Sequence, residues 1–198
     1  MEKLKIIAIV TTIVCVLSLL TLYYFSKKIP ENVRNVTAEI PKELCNIFAG
    51  EEKNLCLEFQ EICKDQPEPD KIQCIASYLV WNVSKESAWK MCQLKEEKNL
   101  QLYCMANVLV PINLNEALAE CDKMDGSIKY FCRADQKKKV MGIEAGLPEC
   151  ENLKENFPID YHVCRALTYS GVNKELAKKE CELIEVEERR TSCLAALT

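Results

Sequence analysis

The most reactive side chains in this sequence are its 13 cysteines, whereas histidine occurs only once. A Cys-x-x-Cys motif would indicate a thiol oxidoreductase, because that spacing produces a reactive thiol of low pKa. Cysteine pairs two to four positions apart, often with histidine, would indicate a structural zinc site. Neither spacing is present, since the closest two cysteines, Cys56 and Cys63, are seven positions apart. The cysteines therefore predict disulfide bonds rather than redox chemistry or a metal site.

Side chains for other kinds of catalysis are also scarce. A nucleophile–histidine–acid triad would have to use His162, which has no plausible partner in the sequence, so we interpret it as a surface or packing residue. No glycine-rich phosphate-binding loop is present, because helix-favouring residues separate Gly142 from Gly146. We expect a protein that is not an enzyme and that has no cofactor.

Ten of the cysteines follow an internal repeat with two cysteines in each unit. The first cysteines of successive units are 29, 29, 29 and 31 residues apart, and the second cysteine follows the first by 11 to 14 positions. The five units contain Cys63 and Cys74, Cys92 and Cys104, Cys121 and Cys132, Cys150 and Cys164, and Cys181 and Cys193. An earlier, irregular unit contains Cys45 and Cys56. A period of this length is typical of stacked supersecondary units.

The unit from Asn113 to Ala134 has the pattern of a helical hairpin. The side-chain oxygen of Asn113 can accept hydrogen bonds from the free backbone N–H groups of a first helical turn. Glycine accepts positive φ, so Asp125-Gly126-Ser127 predicts a tight turn. Cys121 and Cys132 flank this turn almost symmetrically. Each unit is therefore predicted to be two short helices with one cysteine on each.

Further positions recur at fixed distances from the cysteines. An apolar residue and then a capping-type residue stand nine and eight positions before four of the first cysteines, at Val83-Ser84, Ile112-Asn113, Met141-Gly142 and Val172-Asn173. Small residues stand four positions before the same cysteines, at Ala88, Ala117, Gly146 and Ala177, and two positions after the second cysteines, at Ala76, Ala106, Ala134, Ala166 and Ala195. We expect close helix contacts at the small residues. Pro148 departs from the pattern and predicts a helix that is kinked or begins near it.

Two regular disulfide schemes are compatible with the repeat, because spacing alone does not determine connectivity. Cysteines can pair across the turn inside each unit, or across the longer connection between units, as Cys104 with Cys121. The second scheme leaves four cysteines without regular partners. We therefore predict the first scheme: Cys45–Cys56, Cys63–Cys74, Cys92–Cys104, Cys121–Cys132, Cys150–Cys164 and Cys181–Cys193.

The predicted fold class is all-α, because alternating apolar and polar runs typical of strands are absent. We expect about eleven short helices in residues 42–198, arranged as a short α-solenoid or a compact bundle of disulfide-bridged hairpins. The first helix should span Pro41 to Phe48, and Asp70 should cap the helix Lys71 to Val80. Trp81 and Trp89 are expected to pack in the core. The architecture resembles disulfide-bridged helix-pair repeat proteins such as cysteine-rich Sel1-like repeat proteins, but their glycine-rich consensus is missing, so no residue role is transferred.

Residues 1–28 differ from the rest of the chain. Ile6 to Phe25 is a run of 20 residues without a charge, which is long enough to cross a bilayer as a helix. A cleaved signal peptide is the rival interpretation, but its apolar core is usually shorter and ends at small residues. We predict an uncleaved membrane anchor in residues 1–28, which binds the lipid bilayer through residues 6–25. A linker should follow in residues 29–41.

Flanking lysines do not decide the orientation of this anchor, because they occur on both of its sides. The twelve cysteines beyond it favour the outer side of the membrane, since persistent disulfides need an oxidising environment. The disulfide-rich cytosol of hyperthermophiles is the alternative, and the abundance of lysine and glutamate fits it. We predict a single-pass protein with a cytoplasmic N-terminus and its C-terminal domain outside, where Asn35 and Asn82 begin glycosylation sequons.

The charge of the chain restricts its partners. The sequence has 26 Lys and Arg and 30 Asp and Glu; the first 28 residues hold four and one of these, so the remainder carries a net charge of −7. Nucleic acids require a basic face, and none is predicted. We expect a membrane-tethered, non-catalytic module that binds another protein or an envelope component. The alternatives are a structural envelope protein without a dedicated partner, and a thiol redox or metal-binding protein.

Overall fold

The computed structural model describes residues 44–197, without the side chains at positions 68 and 69. Ten α-helices and one 3-10 helix, Leu44–Ile47, account for most of these residues. No strand occurs among these residues, so the all-α prediction is confirmed for them. The α-helices are α1 (Gly50–Ile62), α2 (Glu68–Asn82), α3 (Lys85–Cys92), α4 (Lys98–Leu109), α5 (Leu114–Asp122), α6 (Ile128–Met141), α7 (Ile143–Glu151), α8 (Pro158–Tyr169), α9 (Lys174–Glu182) and α10 (Glu187–Ala195).

The predicted anchor and linker, residues 1–28 and 29–41, lie outside the described residues. Within residues 44–197, no helix has both the length and the apolar character needed to cross a membrane.

Six disulfide bonds join the cysteines of the described residues, and they are the six pairs that the repeat predicts. Their Cα–Cα distances are 5.5 to 6.0 Å, within the range that this bond requires. Five of the bonds join the two helices of one hairpin, and α1 is also bonded through Cys56 to Cys45 of the 3-10 helix. The alternative scheme, which links neighbouring units, does not occur.

The hairpins pack in chain order. Each α-helix contacts the next one along the chain, and the second helices of the units also contact each other in sequence, α2 with α4, α4 with α6, α6 with α8, and α8 with α10. We call these five helices the second-helix row. Three of the hydrophobic clusters lie between consecutive units of this array.

The repeated alanine after each second cysteine explains how the units join. Ala106 packs against the Cys121–Cys132 disulfide of the following hairpin, together with Met124 in its turn. Ala134 and Ala166 make the corresponding contacts with the next two disulfides. A small side chain is needed here because a bonded pair of sulfur atoms fills the space opposite. The last such residue in the sequence, Ala195, is exposed.

The second set of small residues marks the contact between each first helix and its neighbours. Ala88, Ala117 and Ala177 are fully buried. Gly146 takes the equivalent position in α7, where an added Cβ atom would stand only 2.8 Å from the backbone oxygen of Ala134 in α6. The predicted close approach of helices is therefore present between α6 and α7.

Side-chain caps begin three of the first helices as predicted. Ser84 accepts a hydrogen bond from the backbone N–H of Ser87, Asn113 from those of Asn115 and Glu116, and Asn173 from that of Leu176. Such caps satisfy backbone donors that the helix leaves free.

Gly142 stands at the fourth equivalent position and connects α6 to α7 with φ 86°, a conformation that strongly favours glycine. The helix α7 begins at Ile143, five residues before Pro148, and includes it, so of the two predicted alternatives the start near Pro148 does not occur.

Two other predicted helix boundaries are wrong. The described part of the first helix is a 3-10 helix that ends at Ile47, rather than an α-helix that ends at Phe48. The helix α2 begins at Glu68 after Pro67, so Asp70 lies inside it and does not cap it. Proline is well suited to the first turn of a helix, and the second proline of this turn, at position 69, allows the earlier start.

Candidate functional site: a groove on the second-helix row

A groove of about 350 Å³ lies on the second-helix row between α4, α6 and α8. It is therefore built by three consecutive hairpins. Its walls include apolar side chains and a smaller number of polar ones, which is the usual composition of a binding site. The residues that line it are Tyr103 of α4, Phe131, Ala134, Asp135 and Lys138 of α6, Cys164, Leu167 and Thr168 of α8, and Ser170 after α8.

Asp135 of α6 connects α6 to α4 at one side of the groove. Its Oδ2 atom accepts hydrogen bonds from the Tyr103 hydroxyl at 2.5 Å and from the Lys139 ammonium at 2.5 Å. Burial raises the pKa of the Tyr103 phenol far above its ordinary value, and the negative charge and hydrogen bond of Asp135 raise it further. Tyr103 is thus a neutral donor at physiological pH and fixes the carboxylate in one orientation.

A ladder of side-chain amides continues this network across three units. Asn107 Nδ2 donates to Gln73 Oε1 at 3.1 Å, and Gln136 Nε2 donates to Asn107 Oδ1 at 2.8 Å. Lys139 also donates to Asn107 Oδ1, at 2.7 Å. The Gln136 side chain is fully buried, and its Oε1 atom has no hydrogen-bond partner in the structure. The amides of Gln73, Asn107 and Gln136 thus join α2, α4 and α6 by side-chain hydrogen bonds.

Lys138 closes the other side of the groove. Its ammonium donates to the backbone oxygens of Leu167 and Ser170, at 2.9 and 2.8 Å, and so caps the C-terminal end of α8. Partial burial lowers the pKa of this ammonium. Both charged groups that line the groove are therefore paired with groups of the protein. This arrangement orders the walls of the groove.

An arginine clamp joins two hairpins beside the groove helices. The guanidinium of Arg133 in α6 pairs with Asp122 of its own hairpin at 2.8 Å and with Glu149 of the next hairpin at 2.8 Å. Lys137 also pairs with Glu149, whose side chain is 8% exposed. Burial by itself raises the pKa of the Glu149 carboxyl, but hydrogen bonds from Arg133 and Lys137 outweigh it and hold the pKa below its ordinary value.

A second clamp repeats this geometry one unit later. Arg165 in α8 pairs with Glu151 of its own hairpin at 2.8 Å and with Glu180 of the next at 2.7 Å. Glu180 Oε2 also lies 2.9 Å from Nδ1 of His162. The prediction that His162 has no partner is therefore wrong, although it remains a packing residue against Tyr161, as an edge-to-face pair.

The clamps follow a sequence rule that sequence analysis missed. The arginine stands one position after the second cysteine, its first acid one position after the first cysteine, and its second acid one position before the first cysteine of the next unit. The earlier units carry Ile75 and Met105 at the arginine position, and both are buried. The signal was thus present at fixed distances from the cysteines, but only in two of the units.

The other predicted positions have mixed outcomes. All twelve cysteines beyond residue 28 are bonded, and no group of three or more His, Cys, Asp or Glu side chains in residues 44–197 is arranged to hold a metal ion. Trp89 packs against a core cluster as expected. Trp81 is 63% exposed, so its predicted core position is wrong. Asn82 is also exposed, at the end of α2, and Asn35 lies outside the described residues.

No family model, curated protein or solved structure matches this chain. The class of the protein therefore follows from its own residues: the described part is an all-α, disulfide-bridged array of helical hairpins with a groove on its second-helix row.

Proposed function

We propose that this protein is a membrane-tethered, non-catalytic binding module that faces the outside of the cell and uses the groove to hold a segment of another protein. The observation that carries the proposal is the groove itself, because three hairpins contribute to it and its polar walls are held in place by internal hydrogen bonds. A preorganised site loses little conformational entropy when it binds.

Apolar contact area supports a protein ligand rather than a small charged one. Leu167 is 38% exposed in the groove, and Phe131 and Tyr103 are partly exposed beside it. The two charges of the groove already have partners, so a ligand would gain mainly from apolar contact and from hydrogen bonds at the rim. Stacked hairpins commonly use such extended faces for binding.

A photo-crosslinking experiment tests the use of the groove. Leu167→p-benzoylphenylalanine places a reactive side chain in the groove, and Leu57→p-benzoylphenylalanine in α1 is the matched control, because Leu57 is also about half exposed, at 45%, and does not line the groove. Irradiation of native membranes should give a discrete protein adduct at position 167 and none at 57. Equal adducts at both positions, or none, would contradict the proposal and favour a structural envelope role.

The proposed localisation rests on the disulfides and on the apolar run at residues 6–25. A membrane-impermeant protease added to intact cells, after mild reduction, should digest residues 29–198. Survival of these residues, while a known external domain is digested, would place the domain on the inner side and contradict the localisation.

A further inference from the structure

The array has two edges of different chemical character. Each hairpin reverses the chain, and α3 packs against both α2 and α4, so the turns inside the units lie at one edge and the connections between units lie at the other. The turn edge consists of Cys63–Pro67, Gln93–Glu97, Lys123–Ser127, Asn152–Phe157 and Leu183–Val186. The connection edge consists of Val83–Ser84, Val110–Asn113, Gly142 and Ser170–Asn173.

Charge distinguishes the two edges. The eleven residues of the four connections include no Asp, Glu, Lys or Arg, whereas the five turns include ten charged residues among their 25. Both edges expose some apolar side chains, so apolar exposure alone does not separate them. The connections themselves can therefore leave water without stripping a charged group of its hydration, which is costly.

Apolar side chains recur along the connection edge at one position of the repeat. The apolar residue before each capping-type position is exposed in every case. The exposed fraction is 37% for Val83, 45% for Ile112, 63% for Met141 and 69% for Val172. Trp81 adds a side chain that is 63% exposed. Tryptophan is characteristic of the water–lipid interface, where its ring lies among the headgroups.

Most backbone N–H groups at this edge donate hydrogen bonds within the protein. The backbone N–H groups of Val83 and Ser84 donate to the carbonyl of Leu79, and those of the other connections form similar turn bonds. Lys85 of α3, which follows Ser84, bridges to Glu116 of α5 at 2.5 Å. Backbone groups bonded in this way can enter a poorly hydrated interface at low cost.

We propose that the connection edge lies against the interfacial layer of the lipid bilayer, with Trp81, Met141 and Val172 inserted among the headgroups. The inference rests on the proposed membrane tether. The described chain begins at Leu44 and is bonded through Cys45 to Cys56, the middle residue of α1, about 9 Å along the helix from either end. The 18 residues between the apolar run and Leu44 reach at most about 60 Å, so the tether keeps the domain close to the membrane surface.

The membrane contact explains why this edge needs no large apolar patch. A tethered domain meets the bilayer at high effective concentration, so a few inserted side chains are sufficient for a stable orientation. The acidic turn edge would then face away from the membrane. The second-helix row, with its groove, would stand upright on the surface and remain open to a partner.

The two tryptophans provide a matched pair of reporters, because the sequence contains no others. The full chain is reconstituted into phosphatidylcholine vesicles, and its association is checked by flotation. Trp89→Phe leaves Trp81 at the connection edge, and Trp81→Phe leaves Trp89 against the core. Lipids brominated near the headgroup should quench the fluorescence of the first variant and not that of the second.

Charged substitutions test the same contact in the Trp89→Phe chain. Met141→Glu with Val172→Glu should reduce the quenching of Trp81 by brominated lipid. Ile62→Glu with Leu183→Glu is the control at the turn edge, where the side chains are similarly exposed, at 53% and 60%, and it should leave the quenching unchanged. All four side chains are exposed, and unchanged circular dichroism melting shows that the fold is retained.

The outcomes separate the inference from the tether on which it rests. A chain that does not float contradicts both the tether and the edge contact. A chain that floats with Trp81 unquenched contradicts the edge contact alone. If Trp81 is protected from aqueous acrylamide but not quenched by brominated lipid, a second copy or another protein covers the edge, and the inference is overturned.

Discussion

Gly146→Ala offers a sharp test of the close contact between α6 and α7. Three other first helices, α3, α5 and α9, carry alanine at this position, so the substitution restores the repeat. In α7, however, an added Cβ atom would lie 2.8 Å from the backbone oxygen of Ala134, 3.2 Å from Cγ2 of Thr168 and 3.3 Å from Cβ of Lys138. Carbon atoms do not approach a carbonyl oxygen so closely, so α6 and α7 must separate or the helix must shift.

Two opposing effects determine the magnitude. Alanine is better than glycine in a helix interior by about 0.8–1 kcal/mol. Overpacking of a well-packed contact costs roughly 1–3 kcal/mol. The nearest atom belongs to the backbone and cannot rotate away, so we expect the steric cost to exceed the gain. The variant should lose up to about 2 kcal/mol of unfolding free energy, as the difference between these two ranges.

Equilibrium unfolding in urea, with the disulfides intact, measures this difference. Ala119→Gly is the matched control, because Ala119 is exposed within α5 and reports helix propensity alone. It should lose about 1 kcal/mol. If Gly146→Ala instead raises the free energy of unfolding by as much as the control lowers it, the two helices are free to separate. That result would refute the reasoning about close packing.

Three further predictions concern charged and polar groups. Arg133→Met should cost about 1–3 kcal/mol, because it leaves the buried Glu149 with a single cation, whereas Arg189→Met, at a more exposed pair, should cost less than about 1 kcal/mol in the same urea titration. The lowered pKa of Glu149 means that its contribution to stability is present above its ordinary pKa of 4.5 and is lost as pH falls below it. Glu149→Gln should therefore make the melting temperature fall less steeply as pH is lowered through this range. The raised pKa of Tyr103 means that its contribution to stability is present below an ordinary pKa of 10.0 and is lost as pH rises beyond it. Tyr103→Phe should therefore make the melting temperature fall less steeply at alkaline pH. An unchanged slope of melting temperature against pH would contradict the buried phenol.

Local sequence determines much of the array. The cap at Asn113 and the turn at Gly126 depend on contacts within a few residues and on allowed backbone angles, so they could be predicted from the chain alone. The repeat narrowed the disulfide pairing to two schemes, and the scheme across the short turns was predicted because the other leaves four cysteines without regular partners. Boundaries next to prolines were predicted less well, since Pro67 and Pro148 are each compatible with more than one helix start.

Contacts between units were decided by the tertiary structure. Arg133 reaches Glu149 across 16 positions, and Tyr103 reaches Asp135 across 32, so neither partner is recognisable from local pattern. The exposure of Trp81 could not be predicted from local pattern either, because it depends on whether a neighbouring unit covers the side chain. In the structure Trp81 is 63% exposed. The sequence by itself determined the hairpins and their covalent links, because these depend on short-range geometry. Stacking of the hairpins determined the groove, the clamps and the uncharged edge, because each of them combines side chains that only the packed array brings together.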